Sequence, residues 1–216
     1  MPRRRRAAQK LLDLATFPAR ALLLPENDFG ILSSLASERY DYVSHEVDGH
    51  CLDVGCGRFN RFIRDFRGGN GAGIDVHPYE GLTEENLVAD ISRFPFEEAT
   101  FDTVTFIANL NHVPPSLRDV ELQEAHRCLR PGGRIVVTMG NPVAEILAHL
   151  IVAAHDRLLG TRHDVDAERG MHEDEAYYLL DSEIVDRLQR AGFVGIRKKR
   201  FWTQWGLNHL LAAVKP

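Results

Sequence analysis

The feature that most constrains the fold of this 216-residue chain is a short apolar run that ends in a glycine turn, Cys51-Leu52-Asp53-Val54-Gly55-Cys56-Gly57. Such a run, followed by a helical pattern, is typical of a buried strand that leads into a helix. In doubly wound sheets, ligands bind at the carboxyl ends of the strands. Glycines there let a ligand approach the backbone, and a helix N-terminus offers free N–H groups. The turn therefore predicts a ligand site in an α/β fold.

Short apolar runs alternate with helical patterns along most of the chain, which indicates a parallel sheet. Seven runs are predicted as strands: His50–Val54, Ala72–Val76, Leu87–Ala89, Asp102–Ile107, Arg134–Met139, Val194–Arg200 and Leu207–Val214. The first predicted helix has four apolar residues at helical spacing: Phe59, Phe62, Ile63 and Phe66. Two more helices are predicted at Leu117–Leu129 and Glu183–Ala191, the latter with Asp181 or Ser182 as its N-cap.

Two regions lie outside this alternation. Residues 1–45 are predicted as a helical extension, and residues 140–180 form a long insertion after the fifth strand. Insertions of this length are usually functional lids or disordered segments. We therefore expect one domain over residues 46–216, with 140–180 as its lid and 1–45 as its cap.

Charge is unevenly distributed along the chain. The 26 basic and 31 acidic side chains give a net charge of −5, but residues 1–20 carry six basic groups against one acid, a local +5. The remaining residues carry 20 basic and 30 acidic groups, a net −10, which disfavours non-specific nucleic-acid binding.

The composition also bears on membranes, metals and compartment. No run of 18 uncharged apolar residues occurs, so we expect no transmembrane segment. Three cysteines without CxxC spacing indicate reduced thiols and a cytoplasmic protein. The polar stretch His163–Glu175 fits no strong ligand pattern, so we expect no metal site.

Two cofactor classes use a glycine turn of this kind. The dinucleotide fingerprint GxGxxG requires a third glycine where this chain has Asn60. The competing pattern has an acid two residues before the first glycine, and Asp53 stands there. A carboxylate suits a cationic group such as an α-amino group, whereas it repels a pyrophosphate. The turn therefore favours a nucleoside that carries an amino acid.

Two further acids end predicted strands and support that interpretation. Asp75 ends the second strand, and the two oxygens of a carboxylate there match the vicinal hydroxyls of a ribose. Asp90 follows the third strand, where it can accept a hydrogen bond from an adenine amine while Ile91 meets the ring.

At this point the sequence resembles the class I S-adenosylmethionine-dependent methyltransferases, in the branch with the methyltransferase domain 11 pattern. The resemblance is carried by LDVGCG at 52–57, GIDV at 73–76, VADISRFPF at 88–96, FDTVTFIANLNHV at 101–113 and EAHRCLRPGG at 124–133. It implies a Rossmann-like, doubly wound sheet of seven strands in the order 3-2-1-4-5-7-6, with the last strand antiparallel. It also implies S-adenosyl-L-methionine as the cofactor.

The resemblance assigns roles to residues of this chain. Four match the positions that hold the methionine part: Asp53, Gly55, Cys56 and Gly57. Asp75 and Val76 match the positions that hold the ribose and adenine, and Asp90 and Ile91 match the adenine edge. Ala108 and Asn109 match the residues that lie beside the methionine part. One departure is Phe59, which stands where the family often has a third glycine. Either the turn is tighter there, or Phe59 packs inward and the loop still clears the cofactor.

Methyl transfer from a sulfonium is an in-line displacement, so positioning supplies much of the catalysis. A general base is needed only when the acceptor has a proton to lose. His112 follows the fourth strand, and histidine is the side chain best suited to proton transfer near neutral pH, which makes it the candidate base; the alternative is that it only lines the pocket. The candidate acceptor-binding residues are Asn111, His112, Tyr177 and Tyr178.

The predicted activity is methyl transfer to a small molecule, with the N-terminal helices and residues 140–180 forming the acceptor pocket. The acidic body and the sequence Asn109-Leu110-Asn111-His112, which differs from the NPPY type of nucleic-acid enzymes, support this choice. Two alternatives remain: a lipid-linked or macromolecular acceptor, and a non-catalytic cofactor-binding adapter. A peripheral contact of residues 1–24 with anionic membranes also stays open.

Overall fold

The computed structural model describes residues 7–140 and 179–216. Four α-helices occur in these ranges: α1 (Ala7–Leu23), α2 (Leu35–Ser44), α3 (Arg118–Cys128) and α4 (Asp181–Arg190). The six strands are β1 (Cys51–Val54), β2 (Gly71–Ile74), β3 (Phe101–Ile107), β4 (Leu129–Gly140), β5 (Val194–Arg200) and β6 (Asn208–Val214). Within these ranges, none of the helices is long and apolar enough to cross a membrane.

The strands form one mixed sheet in the order β2-β1-β3-β4-β6-β5. The first four are parallel, and β6 runs antiparallel to both of its neighbours. Because β1, β2 and β3 are adjacent and parallel, their carboxyl ends meet at one edge of the sheet. The α/β class and the antiparallel last strand are confirmed.

The prediction of a third strand at Leu87–Ala89 is wrong. Leu87 makes a single bridge to Asp75, and its side chain is 39% exposed. A capping box between Thr83 and Asn86 closes a 3₁₀ turn just before it, which leaves too short a run for a ladder. The described sheet therefore has six strands, in the expected order without the third strand.

The first predicted helix is also corrected. Phe59 and Asn60 have positive φ angles of 61° and 45°, so the regular helix cannot begin there. A π-helical turn, Phe62–Phe66, follows instead, and it buries Phe62 and Ile63. The Phe59 ring lies against Gly81, and the backbone N–H of Phe59 donates to the Glu80 carbonyl at 2.8 Å. Phe59 thus takes a left-handed turn conformation and packs on the loop after β2.

Apolar side chains cover both faces of the sheet. The helices α3 and α4 pack on one face through Leu122 and Ile184, and α2 with the π-helical turn packs on the other through Val43 and Phe62. The predicted cap of α4 is wrong: Leu180 is the N-cap, and the Asp181 carboxylate pairs with Lys198.

Buried charges fasten α1 to the rest of the molecule. The Arg20 side chain is 1% exposed and donates to Glu38 at 3.2 Å and to the Ser33 carbonyl at 2.8 Å. Gln204, in the turn before β6, donates to the same Glu38 carboxylate at 2.9 Å. Removing one member of such a network leaves an uncompensated buried charge, so it specifies how α1 sits.

Candidate cofactor site

The glycine turn folds back onto the end of β2. The N–H groups of Gly55 and Cys56 both donate to the Ile74 carbonyl, at 2.8 and 3.1 Å. Gly55 and Gly57 have φ angles of +71° and +62°, which glycine adopts without strain. A Cβ on Gly55 would lie 2.2 Å from Asn109 Cγ, whereas a Cβ on Gly57 would meet open space. The turn thus packs closely on the residue after β3 and leaves room on its other side.

Asp53, on β1, is a buried carboxyl that is 1% exposed. The Thr105 hydroxyl on the adjacent strand donates to its Oδ1 at 2.6 Å. Burial raises the pKa of Asp53 to about 8; Thr105 opposes that rise and the nearby Asp75 adds to it. None of these three influences is a cation, so the charged form would gain from a cationic ligand.

Asp75 ties the glycine turn to the end of β2. Its Oδ2 accepts from the Gly57 N–H at 2.9 Å, and its Oδ1 accepts from the His77 N–H at 3.0 Å. Its side chain is largely buried, whereas Val76 beside it is 63% exposed. Each carboxylate oxygen can accept a second hydrogen bond, so Asp75 retains capacity for a hydroxyl donor.

Asp90 lies in the loop before β3. Its carboxylate is fully exposed and accepts from the Ser92 N–H at 2.8 Å. Hydrogen bonds from the Ser92 side chain and then from its N–H lower the pKa of Asp90. Ile91 is half-buried. An ionised, accessible acceptor thus stands next to an apolar side chain, whereas Asp53 and Asp75 are enclosed near the turn.

The loop after β3 forms a second wall of the site. Ala108 has a φ of +51° and its N–H donates to the Thr138 hydroxyl at 2.9 Å. The Asn109 carbonyl accepts from the His112 N–H at 2.8 Å, which closes a tight turn. Arg118, at the start of α3, donates to the Asn111 carbonyl at 3.3 Å. Asn111 and His112 are therefore held at the carboxyl end of β3, near the glycine turn.

Two residues near the site escaped sequence reasoning. Glu121 on α3 is 2% exposed, and its Oε2 has no hydrogen-bond partner among the described residues. Burial, with the charge of Asp75, raises the pKa of Glu121 to about 8. Its helical spacing with Leu122 and Ala125 was the available signal, because that face is the buried one.

The second is Tyr40 on α2. Burial, followed by the charge of Asp53, raises the pKa of Tyr40 to about 12, so Tyr40 is within electrostatic range of the enclosed acid. The guanidinium of Arg61, which follows the turn, lies 5.9 Å from the ring centroid. Helix α2 therefore lies near the enclosed acid and the residues that follow the turn.

Some of the predicted acceptor-binding residues lie in a part of the chain that the structure does not describe. Tyr177 and Tyr178 lie outside the described residues, as does nearly all of the predicted insertion 140–180. Within the described ranges, no group of three His, Cys, Asp or Glu side chains is arranged to hold a metal ion.

Comparison with known proteins agrees with this geometry. Residues 52–137, which run from β1 to β4, match the family model described as a methyltransferase domain. Over these residues the chain resembles the class I S-adenosylmethionine-dependent methyltransferases. A structure of an S-adenosylmethionine-dependent methyltransferase from Thermotoga maritima, a possible histamine N-methyltransferase, superposes with a TM-score of 0.60. The two sequences are 13% identical, and the superposition covers 95% of this chain and 96% of the other, so the likeness shows a shared fold alone.

Two curated relatives share more sequence over shorter stretches. A demethylmenaquinone methyltransferase of Streptomyces avermitilis is 38% identical over 126 residues, 54% of this chain and 51% of the relative. A sterol 4-C-methyltransferase of Caenorhabditis elegans is 33% identical over 103 residues, 41% of this chain and 30% of the relative. The chain thus spans about half or less of these methyltransferases.

Proposed function

We propose that this chain binds S-adenosyl-L-methionine and transfers its methyl group to a small molecule. The observation that carries the proposal is Asp53: a carboxyl that is 1% exposed, next to a glycine turn, with no cation among the groups that set its pKa. An α-amino group placed there supplies the missing positive charge. The residues of the site therefore fit this cofactor.

Each part of the cofactor has a proposed partner. Asp53 and the backbone of Gly55, Cys56 and Gly57 hold the methionine part, with Ala108 and Asn109 beside it. Asp75 and Val76 hold the ribose and the adjoining adenine. Asp90 and Ile91 hold the adenine edge. The bound cofactor supplies a methyl group on a sulfonium, which is the electrophile.

The chain's own contribution to the reaction is positioning and exclusion of water. We assign Asn111, Tyr177 and Tyr178 to the acceptor. His112 is the proposed general base for an acceptor that must lose a proton, and its place after β3 supports this. If His112→Ala retains full transfer to a hydroxyl acceptor, the base role is wrong; lost transfer with unchanged cofactor affinity supports it.

The acceptor class rests on two observations. The relatives named above act, by their names, on a sterol and on demethylmenaquinone, both small molecules. The chain outside residues 1–20 has a net charge of −10, which disfavours nucleic acid. A lipid-linked acceptor is compatible with both. The three cysteines, buried and unpaired, suit a reducing compartment such as the cytoplasm.

Calorimetry with S-adenosylhomocysteine tests the cofactor assignment. We expect the parent protein to bind, and Asp75→Ala to bind at least about tenfold more weakly because hydrogen bonds to a charged group are lost. Asp48→Ala is the matched control, since Asp48 lies before β1 at the opposite edge of the sheet. Parental affinity in Asp75→Ala would refute the ribose assignment. Cofactor binding without transfer to any of a panel of quinones, sterols and phenols would favour the adapter.

A further inference from the structure

The outward side of α1 is apolar. Nine of its side chains are exposed, and all of them are uncharged: Ala7, Ala8, Leu11, Ala15, Pro18, Ala19, Ala21, Leu22 and Leu23. The inward side instead buries Asp13 and Arg20, which are 0% and 1% exposed. A surface helix normally has the opposite arrangement, with its apolar stripe towards the core. The buried charges described above hold α1 in this orientation.

Neighbouring segments extend this apolar side. Phe29 and Ile31, in the loop after α1, are 72% and 75% exposed, and Gln9 of α1 donates to the Ile31 carbonyl at 2.9 Å. Trp202 and Trp205, in the turn before β6, are 46% and 58% exposed. We call the seven large side chains the α1 surface: Leu11, Leu22, Leu23, Phe29, Ile31, Trp202 and Trp205.

Trp205 is fixed at the border of α1. Pro18 has no N–H, so the Leu14 carbonyl lacks its usual helical donor. The Trp205 indole N–H donates to that carbonyl at 3.0 Å, and the indole ring lies 5.5 Å from the ring of Phe17. Seven of the eleven exposed large apolar side chains in the described ranges belong to the α1 surface, which is more concentrated than scattered exposure.

Charge indicates what covers the α1 surface. Four consecutive arginines, Arg3 to Arg6, precede α1 directly, and Lys10 lies in its first half. An apolar helix side with basic residues next to it is the pattern of helices that lie in the headgroup region of a bilayer. Anionic lipids attract such residues, and tryptophan is enriched at that depth. A second copy would instead bring one +5 segment against another.

We propose that the α1 surface docks this protein on anionic membranes, with the apolar side of α1 in the headgroup–acyl boundary and the basic residues on lipid phosphates. The Arg61 side chain, just after the glycine turn, donates to the Glu26 carbonyl at 2.9 Å, so the segment after α1 adjoins the candidate site. Docking does not depend on the proposed methyl transfer, because it requires neither cofactor nor acceptor.

Vesicle flotation with the full chain tests the proposal. We expect binding to phosphatidylcholine vesicles that contain phosphatidylglycerol, weaker binding without it, and weaker binding at high salt. A variant with Leu22→Ser, Leu23→Ser, Phe29→Ser and Ile31→Ser should lose at least about tenfold in affinity. These side chains are exposed, so its thermal melt should match the parent. The matched control, Leu180→Ser with Val194→Ser, removes apolar side chains that are 56% and 50% exposed outside the α1 surface.

Tryptophan fluorescence gives a second measurement. The chain has two tryptophans and both belong to the α1 surface, so lipids with brominated acyl chains should quench the emission of the bound protein. Several outcomes overturn the proposal. They are a parent that does not bind vesicles, a serine variant that binds as well as the parent, and an absence of quenching. A dimer that the serine variant abolishes in sedimentation would assign the surface to a second copy. If the parent does not bind vesicles and the serine variant unfolds at a lower temperature than the parent, the α1 surface is covered by another segment of this chain.

Discussion

The Thr105 hydroxyl donates to the Asp53 carboxylate across adjacent parallel strands at 2.6 Å, and the two residues are direct partners in the β1–β3 register. Burial raises the pKa of Asp53 to about 8, and this hydrogen bond opposes that rise because it favours the charged form. The acid therefore changes charge near neutral pH, inside the proposed cofactor site.

The first prediction concerns this hydrogen bond. Thr105→Val removes a group that lowers the Asp53 pKa, so the pKa rises further and less carboxylate is present to meet an ammonium. We expect cofactor affinity to fall about tenfold or more, as for other hydrogen bonds to charged groups. In the parent, affinity should strengthen as pH rises towards about 8, and the variant should need a higher pH. Calorimetry across pH measures both.

Thr103→Val is the matched control for that change. Thr103 is also buried on β3, but its hydroxyl donates to the Asp48 carbonyl at 2.9 Å, away from the turn. It should lose stability without losing cofactor affinity. Equal affinity losses in the two variants would contradict a specific role for the Thr105–Asp53 pair.

The second prediction concerns the buried acid on α3. The folded-state pKa of Glu121 is raised from 4.5 to about 8, so between these values the folded state holds a proton that the unfolded chain has released. Stability of the free protein therefore falls as pH rises through this window, by up to about 1.4 kcal/mol per pH unit. Glu121→Gln should reduce that slope, so the variant gains on the parent between pH 5 and 8 in denaturant unfolding.

Glu124, three residues further along the same helix, supplies the control of opposite sign. Its hydrogen bonds with Arg127 lower the pKa of Glu124, so its stabilisation is present above about pH 4.5 and is lost at lower pH. Glu124→Gln should therefore destabilise the protein at neutral pH. A parallel pH dependence in the two variants would show that the burial of Glu121 is misassigned.

The third prediction uses two glycines with the same φ angle. Gly57 and Gly68 both have a φ of +62°, and a Cβ on either meets no protein atom within 4 Å. Gly57 also has a ψ of −167°, a region that glycine alone adopts readily, so alanine there should cost about 1–3 kcal/mol, and Gly68→Ala serves as the control for a positive φ away from the site. Only Gly57→Ala should also weaken cofactor binding, because its methyl group enters the space assigned to the methionine part. Thermal melts and calorimetry on the pair separate the two effects; equal affinities would place the cofactor elsewhere.

The fourth prediction concerns the attachment of α1. Trp205→Phe removes the donor to the Leu14 carbonyl and should cost about 0.5–1.5 kcal/mol. Pro18→Ala restores a helical N–H to the same carbonyl, so in that background the loss should be smaller. A double-mutant cycle in denaturant measures the coupling. Additive effects would mean that the indole N–H does not substitute for the missing helical donor.

Much of the candidate site was predictable from local sequence. The apolar run before Gly55 predicted β1, and Asp53 and Asp75 were expected near one turn because the carboxyl ends of adjacent parallel strands meet. Phe59 was expected on a helical face because spacing alone cannot reveal a positive φ. The prediction of a strand at Leu87–Ala89 was wrong for a related reason: a run of three apolar residues does not show whether another strand pairs with it.

The sequence by itself determined the α/β class, the glycine turn and the acids that surround it, because periodicity and glycine content act over a few neighbouring residues. Only the tertiary structure decided that Glu121 is buried with no hydrogen-bond partner for its Oε2 in the described part of the chain, and that α1 turns Asp13 and Arg20 inward. Those outcomes depend on contacts between distant residues, such as Gln204 with Glu38 at 2.9 Å. Arg20 could be satisfied inside the protein only once those partners had come together, and the apolar side of α1 was left outside.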